Sequence, residues 1–247
     1  MMKNIENQTV LSPGIKAVFF DAGGTLFRPF PSVGHHYSQV ASRYGCRAGS
    51  QEIEDAFHRV WREHDIIGGM HGQCSEKIEK DFWRKIVSGV FKGFSGLSDF
   101  DSFFEELYDL FARPEVWRFF PESEEVLHRL KEQGYILCMI SNWDSRLVRL
   151  CEGLGLDRFM DHYVISAIFG IAKPDPRIFQ EALKKTGVKA EEAVHVGDSL
   201  EDDVRGATLA GIKAVWLDRS GRHQNLTQDH QNSVSVIQDL RELIPRK

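Results

Sequence analysis

The sequence predicts an α/β fold, in which a parallel sheet is covered by helices on both faces and an all-helical segment follows the first strand. Three observations support this prediction. Short apolar runs recur along the chain without the polar alternation of strands that have one face in water. Helical patterns with clear end signals separate the later runs. One interval, residues 21–135, is much longer than a single crossover helix requires.

Five apolar runs are the predicted strands. They are rich in β-forming residues and are uniformly apolar, as strands of a buried parallel sheet usually are. In chain order they are residues 15–20 (IKAVFF), 135–140 (YILCMI), 163–167 (YVISA), 193–196 (AVHV) and 213–217 (KAVWL).

Helical patterns lie between the later strands. The segment PESEEVLHRLKEQG begins with Pro121 and several acids and stops at Gly134, which are typical signals for the start and the end of a helix. Residues 144–155, 174–187 and 201–211 have the same character. Repetition of strand, helix and strand predicts a parallel sheet with helices on both faces.

The long interval carries three apolar stripes at helical spacing, which indicates helices with one apolar face. The stripes are Ile53, Ala56, Phe57, Val60 and Trp61; Phe82, Trp83, Ile86, Val87 and Val90; and Phe100, Phe103, Phe104, Leu107 and Phe111. We predict that these aromatic residues form a core and not a binding surface. The predicted organisation is a flexible extension over 1–14, an α/β core over 15–27 and 118–247, and a helical cap over 28–117.

Composition limits the expected partners. The chain has 247 residues, of which 42% are hydrophobic and 27% charged, as is ordinary for a folded soluble protein. A net charge of −5 without a basic block argues against nucleic acid or a membrane surface as a partner. The four cysteines form no CxxC pair, which favours reduced core thiols. No signal peptide or membrane span is recognisable, so we expect a cytoplasmic protein. Separately, we expect a monomer or a homodimer.

Polar residues and two glycines follow four of the predicted strands. In an open parallel sheet the loops beyond the carboxyl ends of the strands meet at one edge, where ligands bind. We therefore expect one site that gathers these residues. They are Asp21, Gly23, Gly24, Ser141, Asn142, Lys173, Asp198 and Asp203.

These residue types suit displacement at phosphorus. A carboxylate such as Asp21 forms an aspartyl-phosphate when the phosphoryl oxygens are neutralised. Asp21 and Asp198 would repel each other unless a hard cation such as Mg²⁺ lay between them. Lys173 would offset charge on the transferred group. Taken singly, Asp21 also suits a turn cap and Lys173 a solvated charge, so the hypothesis depends on all four loops together.

The four segments resemble the motifs of the haloacid dehalogenase (HAD) superfamily. Those motifs are hhhDxDGT, a strand-ending Ser or Thr, a Lys before Pro, and GDxxxxD. They correspond here to VFFDAGGTL (18–26), MISNWD (139–144), AKPDPRIF (172–179) and HVGDSLEDD (195–203). The resemblance covers roughly residues 15–220 and implies a Rossmann-like core with a helical cap inserted after the first motif.

The resemblance also implies a role for each residue. The catalytic pair would be Asp21, as nucleophile, and Lys173, which balances charge. The ligands of Mg²⁺ would be Asp21, the Gly23 carbonyl, Asp198 and Asp203. The phosphoryl group of a small phosphorylated molecule would be bound by Ser141, Asn142 and Gly24.

The sequence departs from the phosphatase pattern at Gly23, where a second Asp is usual. That Asp protonates the leaving group and then activates water, which is help worth about 10²–10⁴ in rate. We therefore expect a slowed phosphatase. Two alternatives stay open: a catalytically silent binding protein, and a haloacid dehalogenase. Dehalogenases also lack the second acid, but they work without metal and usually lack the GDxxxxD acids. A phosphonoacetaldehyde hydrolase would need a cap lysine, and no Lys occurs between Lys16 and Lys77.

Overall fold

The fold is described for residues 10–63, 73–221 and 234–244 of a computed structural model. In chain order the strands and helices are β1 (Ala17–Phe20), β2 (Phe27–Pro29), α1 (Val33–Arg43), α2 (Ser50–Glu63), α3 (Glu76–Phe91), α4 (Phe100–Leu110), β3 (Trp117–Phe119), α5 (Ser123–Glu132), β4 (Ile136–Ser141), α6 (Arg146–Gly153), β5 (His162–Ile165), α7 (Ser166–Phe169), α8 (Pro176–Thr186), β6 (Ala193–Gly197), α9 (Gly206–Leu209), β7 (Lys213–Leu217) and β8 (Ser235–Ile237).

The main sheet has six parallel strands in the order β5-β4-β1-β6-β7-β8. The predicted α/β class and all five predicted strands are confirmed. Phe20 at the end of β1 lies opposite Met139 of β4 and Val196 of β6. The carboxyl ends of the three central strands therefore lie side by side, and the residues that follow them share one edge of the sheet.

Apolar layers cover both faces of this sheet, as the uniformly apolar strands predict. Val18 and Phe20 of β1 point into a cluster that includes α5 and α6. Ala17 and Phe19 point into the opposite cluster, which includes α8. All four side chains are completely buried, so β1 is the centre of the core and its end is a rigid place for a functional group.

Helix α8 shows how local sequence sets its boundaries. The Asp175 side chain accepts a hydrogen bond from the backbone N–H of Arg177 and caps the start, and Pro176 occupies the first turn. The helix ends at Gly187, whose φ of +69° suits glycine. The helix therefore begins three residues after Lys173.

Helices α1–α4 lie between β2 and β3, two short strands that pair with each other in an antiparallel ribbon. These helices form an apolar cluster of their own around Ile53, Ile86 and Phe103. The exact division into core and cap domains stays a prediction. Leu11, which we assigned to a flexible extension, is buried in the core instead, while residues 1–9 are outside the described part of the chain.

All four cysteines are buried and free, as predicted. Within the described residues, no helix has both the length and the apolar character that crossing a membrane requires.

Candidate active site

Lys173 is the centre of the candidate site. The residue is 2% exposed, and its ammonium donates to Asp21 Oδ1 at 2.7 Å and to Asp203 Oδ1 at 2.6 Å. Burial alone would lower the pKa of Lys173, but the charges of Asp203 and Asp21 raise it above its usual value. The predicted catalytic pair, Asp21 and Lys173, is therefore brought into direct contact, and the lysine keeps its positive charge.

Asn142 holds the loop that carries this lysine. Its side-chain oxygen accepts the Lys173 N–H at 2.7 Å, and its amide group donates to the Lys173 carbonyl at 3.0 Å. The Asn142 side chain thus fixes the backbone of Lys173. Only the backbone of Asn142 is then available for the phosphoryl binding that we predicted for this residue. Ser141, buried at the end of β4, borders the same cavity as Asp21.

Asp203 is engaged on both carboxylate oxygens. Oδ1 accepts from Lys173 and from His195 Nε2 at 2.9 Å, while Oδ2 accepts the backbone N–H of Ser199 at 3.0 Å. Burial would raise the pKa of Asp203, but Lys173 and the hydrogen bond from His195 hold it well below its usual range. This arrangement makes Asp203 the residue that positions Lys173, and its direct contact with a metal stays a prediction.

Gly24 does not act as we predicted. Its N–H donates to the Phe27 carbonyl at 2.9 Å and so is not directed at a ligand. Its φ is +87°, and a Cβ there would come within 2.5 Å of the Asp198 carboxylate. Glycine is required at this position because the backbone is left-handed and because Asp198 occupies the adjacent space.

Gly23 has a different neighbour. A Cβ at this position would lie 3.1 Å from the indole ring of Trp143. An indole therefore occupies the space beside the position where the phosphatase pattern has its second carboxylate. This ring contact was not recognisable from the sequence, because Trp143 is far from Gly23 along the chain.

Three carboxylates near the end of β1 form a cluster that fits a hard cation. One oxygen from each of Asp21, Asp198 and Asp203 lies within 4.8 Å of the others. The Asp198 side chain is exposed to the cavity on one side and enclosed by protein on the others. This enclosure raises the pKa of Asp198 to about 8, and the negative charges of Asp21 and Asp203 contribute to the increase. Mg²⁺ prefers oxygen ligands of this kind and would relieve their mutual repulsion.

Asp202 is a further acid of the site that we did not assign from sequence. Burial raises its pKa to about 7, and its Oδ1 is buried without a hydrogen-bond partner among the described residues. An unsatisfied buried carboxylate oxygen beside this cluster also favours a bound cation. The spacing of four residues after Asp198, at the start of a helical turn, was the signal that could have identified it.

One cavity of about 860 Å³ joins this edge of the sheet to the inserted helices. All eight residues that we predicted for the site border it. Its other wall is aromatic and includes Trp61, Phe82, Trp83 and Tyr108. The prediction that the aromatic stripes are core is therefore right for Phe103, which is completely buried, and wrong for Trp61, which is 39% exposed.

Sequence comparisons identify the family of the chain. The sequence model for haloacid dehalogenase-like hydrolases matches residues 15–211. Mouse haloacid dehalogenase-like hydrolase domain-containing protein 3 is 27% identical over 234 residues, covering 94% of this chain and 93% of that protein. Phosphoserine phosphatase from Thermus thermophilus is 41% identical over 126 residues, or 50% of this chain and 49% of the relative.

Solved structures share the fold over almost the whole chain. A crystal structure of a dehalogenase has a TM-score of 0.72 at 24% identity and covers 94% of this chain and 97% of its own. A HAD phosphatase from Thermococcus onnurineus has a TM-score of 0.62 at 26% identity and covers 93% and 96%. Fold and sequence together define a hydrolase built on a Rossmann-like sheet. The protein belongs to the haloacid dehalogenase-like hydrolase family.

Proposed function

We propose that the protein is a Mg²⁺-dependent phosphatase that hydrolyses a small phosphorylated molecule through an aspartyl-phosphate on Asp21. The observation that carries the proposal is the contact of Lys173 Nζ with Asp21 at 2.7 Å, beside the acidic cluster and within one cavity. The half-length similarity to a phosphoserine phosphatase and the similarity to a HAD phosphatase also support it.

The reaction has two displacements at phosphorus. In the first, an oxygen of Asp21 bonds to phosphorus, and the bond from phosphorus to the leaving oxygen breaks with its electron pair on that oxygen. In the second, water attacks phosphorus, and phosphate and the free Asp21 carboxylate are released. Lys173 would keep Asp21 in position and offset negative charge, and the Ser141 hydroxyl, which borders the same cavity, would donate to a phosphoryl oxygen.

In this proposal Asp21 and Asp198 would hold Mg²⁺, because Asp203 already accepts from Lys173, His195 and Ser199. Bound there, Mg²⁺ would neutralise charge on the phosphoryl group.

The decisive experiment measures hydrolysis of acetyl phosphate, which has a good leaving group, with and without Mg²⁺. We expect turnover that needs Mg²⁺ and that falls to background in Asp21→Asn, because the amide is not a nucleophile of this kind. Asp157→Asn, an exposed carboxylate outside the cavity, is the matched control and should retain full activity. Equal rates with and without Mg²⁺, and in Asp21→Asn, would refute the proposal.

The same wild-type and variant proteins distinguish the phosphatase from the two alternatives, a silent binding protein and a dehalogenase. A silent binding protein would trap BeF₃⁻ at Asp21 and yet hydrolyse none of the phosphate esters or acetyl phosphate. A dehalogenase would release chloride from 2-chloropropionate without Mg²⁺. The crowded carboxylates around Asp198 argue against the dehalogenase, since without a cation they would repel an anionic substrate.

A further inference from the structure

An aromatic ring lies beside the position of the missing acid. At Gly23 the neighbouring group is the indole of Trp143, 3.1 Å from where a Cβ would be, and not a carboxyl group. A leaving group would therefore depart as an anion unless another group protonates it. A phenol has a pKa near 10, several units below that of an aliphatic alcohol, so a phenolate leaves without a proton far more readily than an alkoxide.

The opposite wall of the cavity is built from stacked rings. Trp61 of α2 stacks on Phe57 and on Trp83 of α3, with ring centroids 5.7 and 5.8 Å apart. All three rings border the cavity that contains Asp21, and none is completely buried. Phe82 meets Trp61 edge-on at 6.3 Å. These rings form a continuous aromatic surface, which we call the aromatic wall (Phe57, Trp61, Phe82 and Trp83).

The charged groups near the aromatic wall do not favour an anion. Of the two arginines that border the cavity in the described chain, Arg146 is paired through two nitrogens with Asp144, at 2.8 and 2.6 Å. The other, Arg28, lies over the rings of Phe30 and Phe120, which are not part of the aromatic wall. Glu54, which borders the cavity beside His58, brings negative charge. A leaving group with its own carboxylate or phosphate would be poorly accommodated here, whereas a flat uncharged ring would stack.

From these three features we infer that the substrates are small aryl phosphate monoesters whose aromatic ring lies against the aromatic wall while the phosphoryl group meets Asp21. The inference rests on the proposed phosphatase function. Asp21 bonds to phosphorus as the aryl oxygen leaves with the electron pair of its bond. Water then releases phosphate from Asp21, and the proton from that water converts the phenolate to the phenol.

The test compares kcat/KM for 2-naphthyl, ethyl and acetyl phosphate in the full chain with Mg²⁺. We expect 2-naphthyl phosphate to exceed ethyl phosphate by at least about 10², the lower range of what a general acid supplies. Trp61→Leu should lower kcat/KM for 2-naphthyl phosphate by about 2- to 10-fold through lost ring contact. For acetyl phosphate, which has no ring, the same variant should stay within about twofold of wild type.

Val148→Ala is the matched control, because Val148 is 39% exposed like Trp61 but does not border the cavity. Calorimetric titration of 2-naphthyl phosphate into Asp21→Asn, with and without Trp61→Leu, gives a second readout that needs no turnover. Loss of one ring contact should weaken this binding by the same factor of about 2 to 10.

The outcomes separate the two proposals. If acetyl phosphate hydrolysis depends on Asp21 but 2-naphthyl phosphate is no better than ethyl phosphate, the phosphatase stands and the aryl inference is overturned. An equal effect of Trp61→Leu on acetyl and 2-naphthyl phosphate would also overturn it. A phosphotyrosine peptide hydrolysed as fast as 2-naphthyl phosphate would overturn the restriction to small molecules. If no substrate shows Asp21-dependent hydrolysis, the proposed function fails, and the inference fails with it.

Discussion

Adjacent glycines after the nucleophile position have different physical roles. Gly24 combines a left-handed backbone with direct proximity to the Asp198 carboxylate. Gly23 has a backbone that other residues can adopt and is limited mainly by the Trp143 ring. Only Gly24 is therefore required by the geometry of the acidic cluster.

The first prediction compares Gly24→Ala with Gly134→Ala. Both positions have similar φ values, +87° and +84°, but a Cβ at Gly134 meets no atom within 4 Å. Each variant should lose about 1–2 kcal/mol of unfolding free energy from backbone strain, measured by urea denaturation. Gly24→Ala should also displace Asp198 and weaken Mg²⁺ binding in calorimetric titration. Unchanged Mg²⁺ affinity in Gly24→Ala would contradict this explanation.

At the scale of residues, the sequence predicts which polar residues lie near one another but not which hydrogen bonds each one forms. Asp21 and Lys173 were predictable neighbours, because both follow strands of one parallel sheet. The bond from His195 to Asp203 and the unpaired oxygen of Asp202 depend on side-chain packing. Such packing leaves no periodic pattern in a sequence.

At the scale of elements, the loop after β4 links the sheet to the inserted helices. Ser166 Oγ accepts the Trp143 N–H at 2.9 Å and donates to Glu79 of α3 at 3.1 Å. Tyr108 of α4 donates to the buried Asp144 at 2.8 Å. Helices α3 and α4 thus hold the loop that carries Trp143 and Asp144, directly after Ser141 at the end of β4.

A second prediction concerns the buried Glu79. Burial raises its pKa above the ordinary 4.5, although hydrogen bonds from Cys74 and Ser166 oppose this increase. The folded state therefore binds more protons than the unfolded state between the two pKa values. Across that window, from about pH 4.5 up to the folded pKa, the unfolding free energy falls by about 1.4 kcal/mol for each pH unit. Glu79→Gln keeps an acceptor oxygen and removes this loss, so it should be more stable than wild type above the window.

Urea denaturation at several pH values measures this effect. Below about pH 4 the difference between Glu79→Gln and wild type should disappear, because Glu79 is then protonated in both the folded and the unfolded state. Glu125→Gln, an exposed carboxyl on α5, should follow the wild-type curve. Parallel pH curves for wild type and Glu79→Gln would show that Glu79 is not the cause.

Long buried elements were predictable and short ones were not. Strand β7 has the predicted bounds of 213–217 because its apolar run is continuous. Strands β2, β3 and β8 have three residues each, too few for a period to be recognised. In β2 and β3 an arginine also interrupts the apolar residues, so the sequence did not predict the antiparallel ribbon that these two strands form.

At the scale of the whole molecule, the buried apolar residues that the structure describes form three clusters. One lies on each face of the main sheet and one lies among α1–α4. The third cluster gives the inserted helices a core of their own. We therefore expect α1–α4 to unfold locally while the main sheet stays folded.

Hydrogen exchange of two core variants checks this expectation. Ile53 and Leu127 are both completely buried, in the clusters of α1–α4 and of the sheet respectively. Each change to Ala should cost about 2–5 kcal/mol locally. Ile53→Ala should accelerate exchange in α1–α4 and leave β1, β4 and β6 unchanged, while Leu127→Ala should accelerate exchange in the strands. Equal acceleration in the strands after Ile53→Ala would mean that the chain opens as one unit.

The distribution of cysteines has a practical consequence. Each of the three clusters contains one of them: Cys151 and Cys138 on the two faces of the sheet and Cys46 among the inserted helices. Burial raises the pKa of Cys138 and Cys151 to about 12, so neither reacts readily while its layer is closed. One alkylation time course of the wild-type chain, followed peptide by peptide, would therefore measure the rate at which each of the three clusters opens.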